Sequence, residues 1–442
     1  MKNKLIKQII AAFLICFFIA GLSATATAKP SQHRDPSSST YEDLPAGSFS
    51  LILNNGSNGK LNDDQIYIQI VNLPKDQVSY VTLANRTIKA GPQGTGSVGN
   101  VNIGTANEIL PSFTLADVKN HTLYLPGDGK YYGTRIYISI NHPLVMQINA
   151  TTNGYSQPNL ENLNDPNYAI SFDWFEMTYD PTPQPNNPHL DTVSFGGNMT
   201  QIDCFSIPMS FTIKGVSGTT AQRGISLGQG SSSGVASRDD LINKYLTASN
   251  IADPFKKLTQ IVGGKIIRLI SPYHSPLFKT GGSYTNYFDE YLSVIWNYYT
   301  INELNAYDQK GDQGNHYIGH VVNNILTFYR NGQGPYTMSK PTSYDVFTCS
   351  GAFLPGSTDA NAFGAQFSAA INRNVATNAS SWILPDDYYQ GEPANDWAKF
   401  WHEVSIDQLA YGFGFDDVGS RSSVAILPAD ENLSTLTLNI GW

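Results

Sequence analysis

Residues 9–22 form a 14-residue apolar run, preceded by Lys2, Lys4 and Lys7 and followed by Ala26-Thr27-Ala28. The run is short of the about 20 apolar residues that a membrane span needs. A positive start, a short apolar run and a small-residue cleavage signature predict a signal peptide over residues 1–28. Cys16 lies in the run, but Ile15 before it is larger than a lipoprotein box admits. Residues 29–46, rich in Ser, Pro and charge, predict a linker. After Gly47 the pattern becomes β-like: residues 48–53 end at Asn54-Asn55-Gly56, and residues 65–71 roughly alternate as a half-buried strand does. Further strands are predicted at 122–125, 135–140, 144–148, 170–178 and 207–213, and spaced short strands with Gly, Pro and Asn turns suit a sandwich or barrel.

The middle of the chain differs. Residues 224–234 are a Gly/Ser-rich joint, after which Ser237 reads as the N-cap of a helix reaching Tyr245, with Asp240 at its third position. Asp253-Pro254 starts a second helix. Over 286–299, Phe288, Tyr291, Leu292, Ile295 and Tyr299 share one helical face, and Phe363, Phe367 and Ile371 do so within 361–375. Residues 266–270 and 321–329 read as strands. Beyond His402 the pattern is β-like again, at 410–415, 423–427 and 433–442. The expectation is therefore a mainly β protein with an α/β insert: one β domain of residues 47–215 and 405–442, interrupted by a mixed domain of residues 216–404.

Composition narrows the partners. Loss of residues 1–28 leaves 414 residues and, with three lysines gone, moves the formal charge from −9 to −12. An acidic chain with 14% charged residues argues against nucleic acid and against an anionic membrane surface once the signal is removed. The 25 Tyr suit stacking and hydrogen bonding to sugars, or the filling of sheets. Cys204 and Cys349 survive maturation and could form one disulfide in an oxidising compartment.

Several motifs carry no chemistry. Gly94-Thr95-Gly96-Ser97-Val98-Gly99 matches a dinucleotide fingerprint by letters, but the β-like Val101-Asn102-Ile103 follows it where a helix is required. Gly230-Ser231-Ser232-Ser233-Gly234 has the nucleophile-elbow letters without a strong preceding strand. His316 and His320 could share a face, yet Tyr317 stands where a zincin has Glu and no third ligand is evident. No metal and no cofactor is expected.

Carboxylates remain. In the segment 171–179, alternation puts Trp174, Glu176 and Thr178 on one face and Phe175, Met177 and Tyr179 on the other. A carboxyl beside Trp on a partly apolar face is disfavoured as an anion by desolvation, the condition a general acid needs. Asp203 follows in Ile202-Asp203-Cys204, and the two carboxylates would look into one groove if their strands are neighbours. An acid and a base across a glycosidic bond make a glycoside hydrolase; an exposed strand carboxylate can equally be a solvated edge.

From about Gly47 to Trp442 the chain resembles glycoside hydrolase family 64, the thaumatin-like β-1,3-glucanases. The resemblance rests on Arg135-Ile136-Tyr137-Ile138-Ser139, Phe175-Glu176-Met177-Thr178-Tyr179, and the stretch from Ile202 through Asp203 to Pro208. It rests also on Tyr287-Phe288-Asp289-Glu290-Tyr291, the stretch from Phe347 through Cys349 to Phe353, Ala369-Ala370-Ile371-Asn372-Arg373, His402-Glu403, and the stretch from Tyr411 through Asp416 and Asp417 to Val418. The resemblance implies a thaumatin-like β-barrel or sandwich domain, a mixed α/β domain and a wide groove between them. It implies endo- or processive hydrolysis of β-1,3-glucan to short oligosaccharides with inversion; a monomer is expected, secreted by way of the signal peptide. Glu176 would be the general acid and Asp203 the general base, with Thr178 binding substrate. Asp180 stands where the family usually has Asn and joins the substrate-binding candidates. Trp174 reads as a sugar platform or as core, and Asp416-Asp417 as groove lining or as a turn cap. The Pro/Asn-rich stretch 181–198 reads as an expanded loop, and Cys204 replaces a common Val. The alternative is a non-catalytic thaumatin-like glucan-binding or defence protein.

Overall fold

The computed structural model of the 442-residue chain describes residues 48–72, 79–84, 87–90, 109–125, 131–149, 154–181, 193–308 and 314–442. The predicted signal peptide, the linker and the Gly94–Gly99 turn lie outside the described residues. Two compact units are formed, one from residues 48–198, 209–223 and 425–442 and the other from 199–208 and 224–424. Residues 199–208 and 405–424, read from the pattern as part of the β domain, thus belong to the mixed unit.

The β unit is built mainly on one hydrogen-bonded path of strands. In spatial order, among the described residues, these are Thr220–Gly224, Met209–Gly215, Leu433–Ile440, Phe49–Asn55, Thr122–Leu125, Thr87–Ala90, Ser79–Ala84, Ile66–Asn72, Tyr131–Ile140, Phe172–Tyr179, Val193–Met199 and Ala425–Pro428. The last long strand, Leu433–Ile440, runs parallel to Phe49–Asn55 and antiparallel to Met209–Gly215, which is why the chain returns to β at its end. Alternation holds on Phe49–Asn55, where Phe49, Leu51 and Leu53 are buried; Phe172–Tyr179 is buried on both faces except at Thr178, with Phe175, Met177 and Tyr179 fully enclosed. Phe175 packs edge-on to Phe211 at 4.8 Å, and Tyr179 to Phe49 at 5.3 Å.

Two expectations are corrected here. Residues 144–148 do not form a strand, because side chains occupy the main chain first. Gln69 both accepts from Leu144 N and donates to Leu144 O, and Asn167 does the same for Val145; pairing begins at Gln147, with a single bridge to Ile109, and continues in Ile148–Asn149 against Gly154–Tyr155. The stretch 181–198, read as a loop, contains most of the strand Val193–Met199. Its Gly196-Gly197 reads as turn chemistry, yet Gly197 is a packing residue, since a Cβ there would lie 2.6 Å from the Phe175 ring and 2.7 Å from that of Phe195.

The mixed unit holds helices Arg238–Thr247, Asp253–Lys256, Asp289–Ile301, Ser343–Thr348, Thr358–Asn372 and Asp396–Val404. Ser237 caps the first by accepting from Asp240 N, as the pattern predicts. Leu292, Ile295, Trp296 and Tyr299 form the buried face of Asp289–Ile301. Phe363, on Thr358–Asn372, meets Phe328 at 4.1 Å and Phe367 at 5.3 Å. The stretch 321–329 is two strands, not one: His316–Val322 and Ile325–Arg330 turn at Asn323-Asn324, whose φ values of 51° and 64° suit a tight hairpin. They belong to a four-stranded antiparallel sheet with Leu304–Tyr307 and Gln333–Ser339.

Residues 410–415, predicted β-like, form no strand. They wrap a buried charge cluster instead. Asp416 accepts from Arg373 Nη2 at 3.0 Å and from Gly412 N at 2.9 Å, and lies 3.0 Å from His402 Nε2. Burial alone would push up the Asp416 carboxyl, but His402 and Arg373 outweigh it and hold it below the usual range. For Asp417 beside it the balance is reversed: burial, with the neighbouring Asp416 charge, outweighs Arg373 and the main-chain N–H of Val418 and pushes its carboxyl up to about 7.

Two outcomes follow for stability. Gly197→Ala forces rings apart in a packed core and should lower stability by about 1–3 kcal/mol, read by urea unfolding against wild type. For Asp417, the folded pKa lies above the ordinary 3.8. Stability is therefore fully present below that ordinary value and lost as pH rises to about 7. Asp417→Asn should raise the melting temperature at pH 8, and the gain should vanish below pH 4 in a scan of both proteins.

Candidate active site

In the β unit, strand register brings the acid candidate to a cation. Glu176 stands directly opposite Arg135 on the antiparallel neighbour, and Arg135 Nε donates to Glu176 Oε2 at 2.9 Å. Both residues are 7% exposed. Arg135 Nη1 also donates to Gln157 Oε1 at 2.8 Å, and the Tyr137 and Tyr155 hydroxyls meet at 2.9 Å beside it. Burial opposes the Arg135 charge, but Glu176 holds the guanidinium well above its ordinary range. Burial likewise pushes up Tyr137 and Tyr155, so both stay protonated. The apolar wall expected around Glu176 is therefore shared with a buried cation. Oε1 of Glu176 has no hydrogen-bond partner among the described residues.

The residues around Glu176 are placed as follows. Trp174 packs against Tyr137 at 5.8 Å and Phe172 at 6.3 Å, with the Arg135 guanidinium 5.1 Å from its ring centroid. At 7% exposure it has the placement of a core residue. Thr178 is half-buried at an irregularity in the ladder, and its Oγ1 accepts from Gly133 N at 3.1 Å. Asp180 is 0% exposed; its Oδ2 accepts from the Tyr132 hydroxyl at 2.9 Å. Its carboxyl is enclosed in the interior.

Asp203 is not on a strand beside Phe172–Tyr179, whose neighbours are Tyr131–Ile140 and Val193–Met199. It lies in a bend of the mixed unit, just before Cys204–Phe205, which pairs with Lys265–Ile270. Its Oδ1 is 2.7 Å from His274 Nε2, and its main-chain oxygen accepts from Ser271 N at 3.0 Å. In the same unit, Asp416 is fully enclosed in its cluster with Arg373 and His402, as a structural charge rather than a groove lining. Asp417 is half-buried next to it. Cys204 and Cys349 are both buried and are not joined in a disulfide.

No group of three or more His, Cys, Asp or Glu among the described residues could hold a metal ion. His316 stacks on Tyr307 at 4.5 Å, and His320 approaches Glu303 at 3.7 Å. Sequence reasoning gave no role to Arg135, His274, Arg373 or His402. Arg135 had a signal, as the lone charge in the strand Tyr131–Ile140, because a buried Arg requires an acidic partner. His274, in Ser271-Pro272-Tyr273-His274, had none.

Residues 47–437 match the model of glycoside hydrolase family 64, described as β-1,3-glucanase. A solved β-1,3-glucanase domain of that family from Clostridium beijerinckii is 28% identical, with a TM-score of 0.72, covering 91% of this chain and 100% of that one. A laminaripentaose-producing β-1,3-glucanase of the family from Paenibacillus barengoltzii, solved with laminarihexaose, is 26% identical with a TM-score of 0.62, covering 90% and 76%. A glucan endo-1,3-β-glucosidase of Arthrobacter sp. (strain YCWD3) is 25% identical over 66% of this chain and 49% of that protein. The chain thus spans about half the length of the curated relatives it matches. With a family match over nearly all of the described residues and agreement in fold, the chain belongs to glycoside hydrolase family 64.

Proposed function

We propose that the protein is a β-1,3-glucanase that cleaves β-1,3-glucan to short oligosaccharides with inversion at the anomeric carbon. The observation that carries this reading is the Glu176 carboxyl, with Oε2 held by Arg135 and Oε1 left without a partner among the described residues. A general acid gives its proton from an oxygen that no other group occupies, and a guanidinium on the other oxygen stabilises the carboxylate left behind. In this reading Glu176 protonates the leaving oxygen, and Asp203 removes a proton from the water that attacks the opposite face of the sugar. The names of the relatives, glucan endo-1,3-β-glucosidase and laminaripentaose-producing β-1,3-glucanase, support the substrate class.

The same proposal includes export, supported by the basic start, the apolar run 9–22 and Ala26-Thr27-Ala28. It includes a thaumatin-like β unit, supported by the family resemblance, and a monomer as the working state. A polymer such as laminarin or curdlan is a substrate met outside the cell.

Purified protein incubated with laminarin should release reducing sugar, and the first product seen by anomeric proton NMR should be the α-anomer. Glu176→Gln keeps the shape and removes the proton, and should lower kcat by about 10²–10⁴-fold. Binding of insoluble curdlan with no sugar release by wild type would identify a binding protein instead. Unchanged turnover by Glu176→Gln would remove Glu176 from the chemistry.

A further inference from the structure

We infer that His274 is the positioning residue of the general base, holding Asp203 so that one carboxylate oxygen stays open to the attacking water. The inference rests on the β-1,3-glucanase reading above and adds a residue to it. One short turn grips Asp203 at two points. Ser271 N donates to the Asp203 main-chain oxygen at 3.0 Å, and His274 Nε2 meets Oδ1 at 2.7 Å. The turn is closed by its own main chain, with His274 N and Ser275 N both donating to Ser271 O. The Tyr273 ring lies 4.5 Å from that of His274 and limits its rotation. A carboxylate can only accept, so the ring hydrogen sits on Nε2.

The consequence is an asymmetric carboxylate. Oδ1 is occupied by His274, and Oδ2 has no hydrogen-bond partner among the described residues. The Asp203 side chain retains 15% of its surface, enough to admit a water. Asp203 itself sits in a bend, where no strand ladder fixes its side chain. Without the imidazole, the carboxylate turns about its own torsions and the open oxygen loses its aim. A positioned base is worth far more than a mobile one, because reacting atoms must be held close and aligned.

The test compares three variants with wild type on laminarin. His274→Gln places an amide donor near the position of Nε2. His274→Asn carries the same amide one methylene short of Asp203, and His274→Leu carries no donor. Loss of a hydrogen bond to a charged group predicts a fall in kcat of roughly 10–100-fold for the Asn and Leu variants, with KM nearly unchanged, and recovery of most of the rate by Gln. Wild-type kcat in Asn or Leu would overturn the inference. So would a Gln variant as slow as Asn, or a rise in KM matching the fall in kcat, since either marks a merely structural histidine. If the Leu variant fails to fold by circular dichroism, the Gln–Asn pair decides alone. A wild-type protein that releases no sugar removes the glucanase reading and this inference with it, a result visible before any variant is assayed.

Discussion

A guanidinium facing a carboxylate across two hydrogen-bonded strands is the interaction on which the setting of Glu176 depends. Both groups have left water, and a buried charge without its partner is strongly destabilising. The pairing of Glu176 with Arg135 is therefore a demand on register: a one-residue slip between Tyr131–Ile140 and Phe172–Tyr179 would put the two charges on opposite faces of the sheet. The opposite face of the same strand resists that slip. Phe175, Met177 and Tyr179 are wholly buried there, and Gly197 on the next strand gives the Phe175 ring its room. Core packing on one side thus holds the ion pair on the other.

The same rule governs the mixed unit, and it separates carboxylates whose oxygens are all occupied from those with an oxygen open. Both oxygens of Asp416 are occupied, by Arg373, His402 and the main chain of Gly412. Nothing is left over for a substrate. Glu176 and Asp203 are each half-occupied, by Arg135 and by His274, with the second oxygen unpartnered among the described residues. Acidity or burial alone does not distinguish these three carboxylates. The count of filled lone pairs does.

Much of this was legible in the chain because it follows from periodicity. The two faces of the strand Phe172–Tyr179, the Ser237 cap and the buried face of Asp289–Ile301 are local consequences of side-chain spacing. The failures share a cause: a distant group claimed the backbone or the space. Gln69 and Asn167 took the main chain of residues 144 and 145, and Phe175 made Gly197 a strand residue where the letters suggest a turn. Asn323-Asn324 could have been read as a hairpin, and was hidden by the apolar residues on either side. The acid and base were named through family motifs, but their partners are properties of register and tertiary closure. Arg135 is 41 positions from Glu176, and His274 is 71 from Asp203.

The two carboxylates are also supported by different kinds of backbone, and the difference suits the tasks proposed for them. A general acid must give its proton along one direction, and a strand locked on both sides holds that direction with little motion. Glu176 has such a strand, with ladder neighbours on either side and a guanidinium fixing one oxygen. A general base must accept a proton from a water that arrives anew in every cycle, so it needs solvent access as well as aim. A bend keeps Asp203 partly exposed, and the Ser271–His274 turn restores the aim that a bend by itself lacks. Exposure and orientation are usually in conflict for a short side chain. Here two residues, one main-chain N–H and one imidazole, reconcile them.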